Sequence, residues 1–101
     1  MRLTAQQQAT VRATVAETFG SDAQVRLFGS RVDDSRRGGD IDLLVTTTQS
    51  DVATLMSAEI ALLTKLQMKL GEQKIDVLLD YPSRKVRPPI LAIALKTGIL
   101  L

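Results

Sequence analysis

The chain has 101 residues, with 13 lysines and arginines against 11 aspartates and glutamates, a net charge of +2 and 45% hydrophobic residues. That composition suits one small globular domain over residues 1–101 with a single hydrophobic core, and excludes a disordered chain. Cysteine and histidine are both absent, which excludes disulfides, thiolate or imidazole catalysis and zinc sites built on those ligands, and leaves any chemistry to carboxylates, lysine, arginine and hydroxyls.

Residues Thr4 to Phe19 read as a helix: Thr4 and Gln7 form a capping box, Leu3, Val11, Val15 and Phe19 recur at multiples of four, and Gly20 stands at the end. Residues 25–28, VRLF, read as a short strand, and the polar stretch from Gly29 to Gly39 as a loop. A second strand follows over Asp40–Val45. Ser50 or Asp51 caps a second helix, whose residues Val52, Leu55, Met56, Leu62, Leu63, Leu66 and Leu70 make a broad stripe expected to be buried, ending at Gly71. Lys74–Asp80 alternates like the second strand. Pro82 closes it, Pro88 and Pro89 suit the start of a helix over 90–97, and Gly98 ends that helix before the apolar Ile99, Leu100 and Leu101, which are expected to be exposed and to suit a partner surface. This order predicts an α+β fold, an α/β two-layer sandwich with a mixed β-sheet and helices on one face.

No apolar signal-peptide core opens the sequence, and the longest apolar run, Ile90 to Leu95, is far too short to cross a bilayer. A cytoplasmic protein with no membrane partner is expected. All 11 acidic residues precede residue 81, whereas Arg84, Lys85, Arg87 and Lys96 follow with no acid among them. That basic end is either a solvated surface or a site for an acidic or anionic partner.

Within the strand at 40–45, Asp40, Asp42 and Leu44 point one way while Ile41, Leu43 and Val45 point the other. Two aspartates two residues apart repel, and strands disfavour aspartate, so the arrangement costs stability unless a cation or a solvated surface offsets it. The next strand repeats the pattern with Asp76, Leu78 and Asp80 on one face. Placed on one face of neighbouring strands, Asp40, Asp42 and Asp76 would form an oxygen site suited to Mg²⁺, one or two ions holding a nucleoside triphosphate for in-line displacement. Asp76 is preferred to Asp80 as the third carboxylate because it has apolar neighbours on both sides. In the preceding loop, Gly29 permits close approach or a positive φ, Ser30 offers a hydroxyl and an N–H, and Arg31, Arg36 and Arg37 can meet phosphate oxygens. Gly-Ser alone is a common turn and Asp-x-Asp alone a common surface pattern; their conjunction is specific. Asp33 and Asp34 read as solvated loop acids, and Tyr81 as a half-buried residue at a strand end.

From about Val25 onward the sequence resembles the minimal nucleotidyltransferase domains of the DNA polymerase β-like superfamily, which include the antitoxin partners of HEPN ribonucleases. The resemblance rests on an apolar strand, Gly29-Ser30, a spacer over 31–39, Asp40-Ile41-Asp42 between apolar residues, Asp76 within KIDVLLD, and a closing ILAIALKTGILL. It implies a polymerase β-like fold. It further implies that Asp40 and Asp42 bind divalent metal, that Asp76 completes the triad, and that Gly29 and Ser30, with Arg31 beside them, hold the phosphates of ATP or another nucleoside triphosphate. The implied activity is Mg²⁺-dependent transfer of a nucleoside monophosphate to a hydroxyl, with a tyrosine of a HEPN toxin as the leading acceptor and an antitoxin role. The alternative is a catalytically silent module that neutralises its partner by contact. Nucleic-acid binding is the weakest reading, since aromatic residues make up only 3% of the chain.

Overall fold

The computed structural model describes residues 3–29, 40–71 and 73–101. Helix α1 (Ala5–Phe19) starts at Thr4, whose hydroxyl accepts from the Gln7 N–H while the Gln7 side chain accepts from the Thr4 N–H, the reciprocal capping box expected from the sequence. Gly20 ends it at φ +104°. Strands β1 (Gln24–Phe28) and β2 (Ile41–Thr46) pair antiparallel. Helix α2 (Val52–Leu70), capped by Asp51 onto the Thr54 N–H, then crosses to β3 (Ile75–Asp80), which pairs parallel with β2. Helix α3 (Pro89–Thr97) begins with Pro at its first position, where no N–H is needed, and leads into the short strand β4 (Ile99–Leu100), antiparallel to β1.

The result is a four-stranded mixed sheet of order β3-β2-β1-β4 in an α+β fold. One sheet face carries Val25, Leu27, Ile41, Leu43, Val45, Ile75 and Leu79, packed against Val11 and Val15 of α1 and Leu55, Leu62 and Leu66 of α2. The opposite face carries the aspartates, and it is not bare. Leu44 is fully buried there because Leu91 and Ala94 of α3 close over it together with Phe28. The expectation of helices on one face therefore describes α1 and α2, while α3 covers part of the other. Short apolar helices are easily assigned to the main core, and only packing decides which face they reach.

Two further expectations are corrected. Val52 and Met56 belong to the stripe read as buried, yet they are 49% and 59% exposed, because α2 offers the sheet and α1 only its Leu55, Leu62 and Leu66 side. Leu101, read as part of an exposed apolar end, packs against the main core and donates its N–H to the Val25 carbonyl at 2.9 Å. Among the described residues, no helix is long and apolar enough to cross a membrane.

Candidate active site

Both β2 and β3 open with Ile-Asp, and the parallel register sets Ile41 beside Ile75 in the core. Because side chains alternate, burying that pair forces Asp42 and Asp76 together on the other face. On the far side of Asp42 stands Phe28, its antiparallel partner on β1. The chain leaves β1 through Gly29 at φ +77°, a conformation that side chains with a Cβ rarely adopt. Glycine is required there for a second reason: a Cβ would collide with the Asp42 carboxylate oxygen and lie 3.2 Å from its Cγ. Gly29 thus lies directly against the Asp42 side chain.

Asp42 is half-buried and Asp76 exposed. Burial pushes the Asp42 carboxyl above the usual aspartate range, and the negative charges of Asp76 and Asp40, with a side-chain hydrogen bond to Asp76, push it further; Lys74 opposes weakly. Asp40, just before β2, lies 3.6 Å from the Lys74 ammonium, an exposed contact worth little by itself. Among the described residues, no group of three or more aspartates or glutamates stands together so as to hold a metal ion. Mg²⁺ does not need one, since it keeps several waters and is held by one or two carboxylates together with substrate phosphates. The hard oxygen donors of Asp42 and Asp76, with Asp40 alongside, fit that requirement.

Asp80 sits at the other end of β3 and is paired with Arg87 at 2.9 Å. Arg84 is also engaged internally, donating to the Leu79 and Val86 carbonyls and lying 5.8 Å from the centre of the Tyr81 ring. Two of the basic residues at the end of the chain thus serve the fold. Ser30, Arg31, Arg36 and Arg37, and the loop acids Asp33 and Asp34, lie outside the described residues.

Sequence reading overlooked Lys74 and Phe28 as neighbours of the site. The signal for Lys74 was present: it stands two residues before Asp76, in the same alternation, as Asp40 stands before Asp42. Phe28 became visible only through the β1–β2 register.

A comparison with protein-family models matches residues 9–101 to the one described as nucleotidyltransferase domain. A search of curated proteins gives no match.

Proposed function

This chain belongs to the nucleotidyltransferase domain family, and from that premise we propose that it transfers a nucleoside monophosphate, AMP from ATP, to a hydroxyl group and releases pyrophosphate. The observation that carries this reading is the Asp42–Asp76 pair standing in register with Gly29 folded against it. Mg²⁺ held by Asp40, Asp42 and Asp76 would neutralise phosphate charge and favour ionisation of the attacking hydroxyl. Gly29, Ser30 and Arg31 seat the phosphates through backbone N–H groups, a hydroxyl and a guanidinium. Asp76, the more exposed carboxylate, orients the acceptor: its hydroxyl oxygen bonds to the α-phosphorus, the bond from that phosphorus to pyrophosphate breaks, and the proton passes to the carboxylate and on to solvent.

The acceptor in this reading is a tyrosine of a HEPN ribonuclease toxin in the cytoplasm, and modification makes the chain an antitoxin. Support comes from the resemblance of the sequence from Val25 to Leu101 to minimal domains of that kind. The test incubates the chain with Mg²⁺, ATP labelled at the α-phosphate and the ribonuclease encoded beside it. Wild type adds the mass of AMP to the ribonuclease, and Asp42→Asn does not. Neutralisation of the ribonuclease without any change in its mass would replace transfer by the contact-only reading.

A further inference from the structure

In the order β3-β2-β1-β4, β3 is an edge strand, so among the described residues the Asp42–Asp76 pair has one closed side and one open side. The closed side is Phe28 and Gly29. In-line displacement needs the attacking oxygen and the leaving pyrophosphate on opposite sides of the phosphorus. With phosphates on the Gly29 side, the attacking group arrives over the β3 edge.

That edge presents backbone groups. Ile41 donates to the Lys74 carbonyl and Thr47 to the Asp80 carbonyl, so the even-numbered residues of β3 face β2. A parallel ladder alternates, which turns the N–H and C=O groups of Ile75, Val77 and Leu79 outward. Arg84 caps the Leu79 carbonyl at 3.0 Å, which leaves the end nearest Asp76 as the place for pairing.

Beside the edge, on the α2 side of the sheet, runs a cavity of about 270 Å³ whose lining includes Val52, Met56, Glu59, Val77, Tyr81 and Arg84. Val52 and Met56 are exposed apolar residues one helical turn apart. Glu59 is half-buried among them, and burial pushes its carboxyl up.

We propose that the acceptor is presented as an extended, hydroxyl-bearing peptide segment that adds to the open edge of β3, a proposal that rests on nucleotidyl transfer at Asp42 and Asp76. A strand added there lies about 5 Å from β3. One alternating set of its side chains stands on the carboxylate face, placing a hydroxyl next to Asp76. The other set enters the cavity under α2, where apolar side chains meet Val52 and Met56 and a basic one meets Glu59. The hydroxyl oxygen then forms its bond to the α-phosphorus as pyrophosphate leaves, with the proton passing to Asp76 and solvent.

The experiment uses the full chain with Mg²⁺, ATP labelled at the α-phosphate, and an array of short peptides centred on tyrosine, serine or threonine, with oligonucleotides bearing free 3′-hydroxyls alongside. Labelled peptides are expected to carry apolar residues flanking the hydroxyl residue and a lysine or arginine close by. N-methylation of the backbone amides that would pair with β3 lowers labelling about tenfold. Glu59→Lys lowers labelling of the basic peptides by a similar factor while Mg-ATP binding, measured by calorimetry, stays unchanged. Labelling indifferent to N-methylation and to Glu59→Lys overturns edge docking and leaves transfer standing. Labelling of oligonucleotides alone overturns a peptide acceptor. Failure of the wild-type chain to bind Mg-ATP overturns the transfer reading and, with it, the docking built upon it.

Discussion

Substituting alanine for Gly29 tests whether this glycine and Asp42 form one unit. Two costs are expected in Gly29→Ala. The backbone at φ +77° puts a Cβ in the left-handed region, at about 1–2 kcal/mol. The new methyl also collides with the Asp42 carboxylate, which must leave its rotamer at about 0.5–1.5 kcal/mol. Loss of glycine's freedom in the unfolded chain returns about 0.4–1 kcal/mol. The net destabilisation is therefore about 0.5–3 kcal/mol. Urea denaturation in EDTA measures it, and a double-mutant cycle with Asp42→Ala separates the contributions. With the carboxylate gone only the backbone cost remains, so the two changes should be non-additive by about 0.5–1.5 kcal/mol. Mg-ATP binding should fall in Gly29→Ala, because the carboxylate that moves is a proposed metal ligand. Additivity within about 0.5 kcal/mol would refute the contact and the argument built on it.

In metal-free buffer Asp42→Asn should stabilise the protein by about 1 kcal/mol, because it removes a half-buried charge that Asp76 and Asp40 repel, while abolishing transfer. Because the Asp42 pKa is raised on folding, the folded state binds the extra proton and the repulsive cost grows as pH rises from the ordinary aspartate value through the raised one. The stabilisation in Asp42→Asn should accordingly be present at neutral pH and vanish below the ordinary value; urea titrations across that range measure it, and a gain that persists in acid would contradict the assignment. Leu44→Ala, at a fully buried position between Phe28, Leu78 and Leu91, should cost about 2–5 kcal/mol in urea denaturation. Deleting residues 99–101 removes the β4–β1 pairing and the Leu101 contact with the core, and should cost about 2–4 kcal/mol; unchanged stability would return this segment to the role of a free docking surface.

Local signals were sufficient wherever the physics is local. Thr4 with Gln7, and Asp51, fixed helix starts through hydrogen bonds spanning three residues, and Gly20, Gly71 and Gly98 marked helix ends. The alternation in β2 and β3 assigned Asp42 and Asp76 each to a polar face of its own strand. Whether those faces coincide is a matter of register, and the burial of Ile41 beside Ile75 decided it. Other features depended on which surfaces finally met. Leu44 shares a face with Asp42 yet is buried, because Leu91 and Ala94 of α3 cover that strip of the sheet. Met56 has the sequence character of a core residue yet is exposed, because α2 is wider than the surface available to it. The open edge of β3 beside Asp76 is likewise a product of strand order. Capping and alternation act within a few residues and are written into the sequence directly, whereas register, coverage and edges arise from contacts between segments far apart in the chain and exist only once it has folded.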